Sequence, residues 1–173
     1  MINTRIPKVL FKRTPSDFIR VELQKGIGDL IKDHPFLSFP LICMSIEFLG
    51  KCIDEKHDFK YWAKGLSRKQ FNACLTKYMK RYADLIGGDF DLYTHLRCGF
   101  AHRFMGGKAF SLVDAEIDSI DKHFDILSDG KMVLKIDEFY TDFSSACDAI
   151  INDISNNVLK HKKLNETYEY ITD

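Results

Sequence analysis

Apolar residues recur at helical spacing from residue 18 onward: Phe18, Ile19, Leu23, Ile27, Leu30 and Ile31. That spacing predicts one buried helix face. The helix is expected to start near Thr14–Ser16, with Pro15 suited to a first turn. Gly26 and Gly28 weaken its middle, and His34-Pro35 stops it. A second helix is predicted after Pro40. Leu41, Ile42, Met44, Ile46, Phe48 and Leu49 leave it little polar face, which places it at the centre of the fold. Residues 54–66 read as a loop or short irregular helix holding the sole tryptophan, Trp62.

Ser67 with Gln70 three residues later matches a capping box and opens a third helix. Its stripe is Phe71, Cys74, Leu75, Tyr78, Tyr82, Leu85 and Ile86, more naturally core than a base-stacking platform. Gly87-Gly88 ends it. Asp89 or Asp91 caps a fourth helix that runs to about Phe104 and ends at Gly106-Gly107. The period then changes. Ala109–Val113 predicts a short strand. His123–Leu127 and Met132–Ile136 flank Ser-Asp-Gly-Lys, a hairpin signal. A last helix starts near Asp137, its buried face marked by Phe139, Tyr140, Phe143, Cys147, Ile150, Ile151, Ile154 and Val158.

The expected fold is therefore mainly α: an antiparallel four- to five-helix bundle with a β-hairpin, within residues 109–136, inserted before the last helix. The 173 residues suit a single domain with a core that needs no disulfide or metal. Residues 1–10 lack a secretory leader pattern. The most apolar stretch, Phe36–Gly50, is broken by Pro40 and Glu47 and reads as too short to span a bilayer. Five scattered cysteines (Cys43, Cys52, Cys74, Cys98, Cys147) without a Cys-x-x-Cys pair read as reduced thiols, mostly core fillers. The expectation is a cytoplasmic protein with no membrane association, in which the Asn165-Glu166-Thr167 sequon carries no weight.

One short motif carries chemistry. Arg97-Cys98-Gly99-Phe100-Ala101-His102 lies inside the fourth helix, after Leu92-Tyr93-Thr94-His95-Leu96. Here the chain, over roughly residues 14–160, resembles the HEPN superfamily, whose hallmark is an arginine followed after four to six residues by a histidine. The resemblance implies an all-α bundle that dimerises across the motif helix, so that two arginines and two histidines share one cleft. Many members are metal-independent ribonucleases of toxin or defence systems; others are dimerisation or binding modules. Arg97 and His102 would be the catalytic pair, with no cofactor, and RNA the ligand.

The residue types suit the chemistry. RNA can be cut without metal when the 2′-hydroxyl attacks the adjacent phosphate. A histidine titrating near neutrality moves the proton, and a guanidinium holds the phosphate. Residues five apart on a straight helix point about 140° from each other, so the pair needs a second copy to make a compact site. Active family members usually carry a polar residue after the arginine, where this chain has Cys98. Cys98 itself and Glu47 are the candidate supporting residues, Glu47 from another helix, where a carboxylate isolated among apolar residues needs a partner.

Other readings use the same side chains. Arg97 paired to Asp91 or Glu47, with His102 half-buried near a helix C-terminus, is a purely structural arrangement. A non-catalytic interaction module bound to a protein partner is the rival that Cys98 favours. His95, Cys98 and His102, spaced i, i+3, i+7 on one face, are the alternative metal ligands. Two look-alikes fail on context. Gly87-Gly88-Asp89-Phe90 resembles a cyclic-dinucleotide cyclase signature but lacks the next acidic residue. Gly26-Ile27-Gly28 lacks the third glycine and preceding strand of a dinucleotide site.

Charge sharpens the picture last. The chain is neutral overall, with 25 basic and 25 acidic residues. Residues 60–108 hold 10 basic and 3 acidic residues, a net of +7, whereas residues 109–159 hold 3 and 11, a net of −8. Neutrality excludes a uniformly basic nucleic-acid binder but leaves a local basic cleft, open or filled by the chain's own acidic segment.

Overall fold

A computed structural model of the chain describes residues 10–103, 107–114 and 121–171. It is mainly helical. Strand β1 (Leu10–Arg13) leads into Pro15–Phe18, a π-helical stretch Ile19–Gly26 and Ile27–Asp33, which run end to end as helix α1. The long α2 (Pro35–Ile53) and α3 (Leu66–Tyr78) follow. After a 3₁₀ turn at Lys80–Leu85, the π-helical Tyr93–Cys98 and the α-helical Gly99–Arg103 form the motif helix, α4. Strands β2 (Phe110–Val113) and β3 (Met132–Lys135) precede α5 (Ile136–Ser155), and the 3₁₀ turn Lys162–Leu164 leads to β4 (Tyr168–Ile171).

Helix α1 starts as its sequence predicts. The Thr14 hydroxyl accepts the Asp17 N–H and Pro15 occupies the first turn. Gly28 has a packing reason: a Cβ there would fall 2.3 Å from the Tyr140 hydroxyl. That hydroxyl donates to the Gln24 carbonyl at 2.7 Å, inside the π-helical stretch.

Helix α2 begins at Pro35, ahead of the expected start after Pro40. Pro35 takes the first helical position, where its missing N–H costs nothing, and Pro40 is carried inside the helix. By length and composition α2 is long and apolar enough to cross a membrane, which corrects the expectation of a stretch too short to do so; more than half of it is buried. It packs against α1, α3, α4 and α5. The α2–α3 contact is the tightest, because a Cβ on Gly50 would fall 1.9 Å from the Gln70 carbonyl oxygen.

The predicted capping box does not form. Helix α3 starts at Leu66 behind Gly65, which has φ 80° and provides no side-chain cap. The Gln70 amide instead donates to Asp54 at 2.9 Å. Nor does one helix run to Ile86: Met79 (φ −121°, ψ 58°) breaks it, and the tighter 3₁₀ turn carries Tyr82 and Leu85 into the core. Cys43, Cys52, Cys74 and Cys147 are buried, and burial pushes all four thiols up, Cys52 to about 12.

The β region differs from the predicted hairpin. β3 pairs in parallel with β2, Phe110 opposite Met132 and Val113 opposite Lys135. Residues 123–127 keep a tight turn and bonds such as Phe124 N–H to Val133 C=O, 2.8 Å, but form no ladder. Phe124 at φ 75° twists this segment out of extended conformation. Met132, Val133 and Leu134 are all buried, and such a strand, covered on both faces, suits a parallel pair. A second, unpredicted sheet joins β1 and β4 antiparallel, Leu10 opposite Ile171. Val158, expected on the buried face of the last helix, lies beyond α5 and is 60% exposed. The expected α4 end at Phe104 and Gly106, and residues 115–120 of the insertion, lie outside the described residues.

His123 ties this region to α5. Its Nδ1 accepts the Lys135 N–H at 3.1 Å, so Nε2 carries the proton of the neutral ring. Nε2 lies 3.0 Å from the Tyr82 hydroxyl, which donates to Asp142 at 3.0 Å. Burial holds His123 below its ordinary 6.5 and Arg81 adds to this, against the opposing pull of Glu138, Asp142 and Asp137.

Two predictions follow from packing and protonation. Gly50→Ala should cost about 3 kcal/mol or more, since neither backbone can yield, read as a lower denaturant midpoint at unchanged m. As pH falls below 6.5, the unfolded chain takes up a proton that native His123 refuses, so stability falls. His123→Gln should flatten that loss between about pH 7 and about pH 5.5 in denaturant melts; an unchanged slope would remove His123 as its source.

Candidate functional site on the motif helix

Helix α4 is fixed at its start by Asp91. One carboxylate oxygen accepts the Thr94 N–H at 2.6 Å; the other accepts the Gly87 N–H at 2.6 Å and faces Arg68 at 3.4 Å. Burial alone would raise the Asp91 carboxyl, but these donors hold it below the usual range. Asp91 thus caps α4 as one of the two predicted candidates. Leu92, Leu96, Gly99 and Phe100 then form the buried face.

Arg97 sits at the border of that face. Its Nε and Nη2 both reach one oxygen of Glu47, each at 2.7 Å. Glu47 is buried in α2, with its side chain 10% exposed against 23% for Arg97. Desolvation works against the charged guanidinium, yet Glu47 more than offsets it and raises the Arg97 pKa. Among the described residues Nη1 of Arg97 has no hydrogen-bond partner. The guanidinium also lies 5.7 Å from the Tyr93 ring centre, and Arg68 covers the same ring at 4.9 Å.

The other candidates spread out. His102 is exposed in the last described turn and makes no hydrogen bond or ion pair among the described residues. It is therefore not the half-buried histidine of the purely structural arrangement. Within one chain Arg97 pairs with Glu47, and no contact joins it to His102. Cys98 is half-buried beside Tyr93. His95 is half-buried with its ring 6.3 Å from that of Phe110, and Gly107 crosses it, donating its N–H to the His95 carbonyl at 2.6 Å. Among the described residues no three His, Cys, Asp or Glu side chains stand together as a metal site, so His95, Cys98 and His102 are not gathered into one.

A feature that sequence reasoning missed borders Arg97. Leu37, Leu41 and Met44 of α2 are 38%, 38% and 58% exposed. With Phe100, Ala101 and Arg97 they line an apolar groove of about 290 Å³. The i, i+4, i+7 spacing was visible, but in a helix apolar all round nothing in the sequence marks which stripe stays outside.

The chain was compared with family models, curated proteins and solved structures, and none matches it.

Glu47→Ala leaves the Arg97 guanidinium half-buried without its anion and should cost roughly 2 kcal/mol. Arg97→Met combined with it should recover part of that loss. A four-variant denaturation cycle reads the coupling; a value near zero would mean the pair contributes no stability.

Proposed function

We propose that this protein is an HEPN-like RNA-binding protein, an antiparallel helical bundle that dimerises beside α4 and cleaves RNA without a metal. The carrying observation is the Arg97-to-His102 spacing on a helix that borders an exposed apolar groove. In water a stripe holding Leu37, Leu41 and Met44 is unfavourable to leave bare. A second copy seated there brings the two α4 helices side by side, so that Arg97 of one protomer faces His102 of its partner.

Glu47 suits this role as a positioning residue. It grips Arg97 through Nε and Nη2 and leaves Nη1 to bind a phosphate oxygen. His102, an exposed residue, takes the proton from the 2′-hydroxyl or gives one to the departing 5′-oxygen. The attacking oxygen forms a bond to phosphorus as the 5′-oxygen leaves, giving a cyclic phosphate and a free hydroxyl end. Arg97 stabilises the charge on the phosphorane oxygens.

The rival is a non-catalytic interaction module. It is favoured by the half-buried Arg97–Glu47 pair, which accounts for the arginine structurally, and by Cys98 at the position after it.

The test is RNA incubated in chelator with wild type, Arg97→Ala and His102→Ala. Wild type should cut, and His102→Ala should lose about 100-fold or more. Equal cleavage by both, or by neither, removes the nuclease. Met44→Glu should shift the dimer to monomer in sedimentation; a wild-type monomer removes the shared cleft. A dimer that leaves RNA intact is the result the rival requires.

A further inference from the structure

The loop between α2 and α3 combines exposed aromatic rings with unusually firm anchoring. Trp62 is 76% exposed and Tyr61 is 50% exposed. Tryptophan is on average a well-buried residue, so an outward indole gains nothing from this fold. Along the chain the rings are flanked by Lys56, Lys60, Lys64 and Lys69, all exposed, and by the exposed acids Glu55 and Asp58. The imidazole of His57 already stacks on Tyr61, 4.5 Å between centres and 15° between planes.

The base of the loop is held from inside. Lys163 is 5% exposed and its ammonium donates to the carbonyls of Asp54 and His57, with the Phe59 ring 5.2 Å away. Burial lowers its pKa, against the pull of Asp54. The Asp54 carboxylate takes Gln70 Nε2 at 2.9 Å, His57 Nδ1 at 2.8 Å and the Lys56 N–H at 2.9 Å. Burial would raise it, but these donors bring it down to about 2. Phe59 stacks on Phe48 of α2 at 5.3 Å. A buried ammonium and a triply bonded carboxylate fix the backbone that carries the exposed rings, so little ordering remains to be done on binding.

We propose that this loop is a stacking platform for single-stranded nucleic acid. Tyr61 and Trp62 take bases on their faces, and Lys56, Lys60, Lys64 and Lys69 take the phosphates between them. Base stacking uses a π-face that every base has, so the site is tolerant of sequence. Duplex ends its bases inside the stack and offers this loop only phosphates. Arg68, four residues past Lys64, donates to Thr94 of the motif helix at 2.7 Å and covers Tyr93, the ring that Arg97 also faces. The inference rests on the RNA reading above only for the class of ligand, since none of its side chains belongs to the Arg97–His102 pair.

Trp62 is the sole tryptophan, so its emission reports the site directly. The probe is an unlabelled single-stranded RNA of about a dozen nucleotides, with a single-stranded DNA of the same sequence, a duplex and anionic phosphatidylserine vesicles as further arms. Binding is measured on the His102→Ala protein, so that strands stay intact. Single strands should quench Trp62. Trp62→Ala should weaken binding about tenfold, read by anisotropy of a labelled strand. Lys60→Ala should flatten the salt dependence by roughly one ion. Since Trp62 is largely exposed, its removal should leave the thermal melt unchanged. Unquenched emission at saturating strand, unchanged affinity in Trp62→Ala, or quenching by vesicles and not by strands each overturns the proposal. Quenching without cleavage by wild type keeps the platform and removes the nuclease; cleavage without quenching does the reverse.

Discussion

The fold depends on enclosing α2. Nineteen residues with apolar side chains on nearly every face cannot stand in water, and α1, α3, α4 and α5 are laid against them. The closest crossing, at Gly50 against the Gln70 carbonyl, admits no side chain at all. The same enclosure makes Glu47 a problem, because a carboxylate buried in such a helix must find a cation. Arg97 supplies it from α4. The ion pair at the candidate site is thus a consequence of how α2 is buried as much as of any chemistry on α4.

The charge segregation along the chain resolves in the same way. Arg81 reaches Asp142 at 2.9 Å and Glu138 at 3.1 Å, and Lys77 lies 3.8 Å from Asp153. Helix α3 and the turn after it therefore spend part of their positive charge on the acidic face of α5. The basic residues that stay outward include Lys69 near the start of α3 and Arg103 of α4, whereas the α2–α3 loop, residues 54–65, balances three lysines against three acids. Neutrality of the whole chain hides this, because it averages over pairs already formed and lysines still free for a ligand.

The long-period information in the sequence was legible. Helical stripes placed α1 and α5 and the start of α3 to within a few residues, though α3 ends at Tyr78 and not at Ile86, and the all-round apolarity of α2 placed it centrally. What failed was local and competitive. Ser67 satisfied a capping pattern, yet Gly65 with φ 80° opened the helix, because Gln70 was drawn to Asp54. The turn around Gly130 was correctly seen, but strand pairing is decided by burial. β3 gives one edge to β2 in parallel and keeps the predicted antiparallel neighbour on the other only as a single bridge, Met132 with Ile126, which is 55% exposed. At the site, Glu47 was legible as a carboxylate in need of a partner, and it was one of two carboxylates, with Asp91, read as partners for Arg97. The exposed stripe of α2 was not legible, since hydrophobicity identifies what prefers burial and not which part is left over.

Two of the exposed surfaces of this fold lie along one buried helix and just past its end. Toward its N-terminus α2 leaves Leu37, Leu41 and Met44 bare beside Arg97; past its C-terminus it hands the chain to a loop whose backbone carbonyls are clamped by Lys163. Apolar exposure at one end favours another protein surface. Aromatic exposure among lysines at the other favours a polyanion with flat bases. Between the loop and Arg97 in the fold's contacts lies Arg68, at the start of α3, whose guanidinium covers the Tyr93 ring that Arg97 also faces. On the proposed reading, a strand held at the loop would pass Tyr93 to reach Arg97, where dimerisation along α2 would set the partner's His102. The helix that the fold must bury thereby separates and aligns the two surfaces that it leaves open.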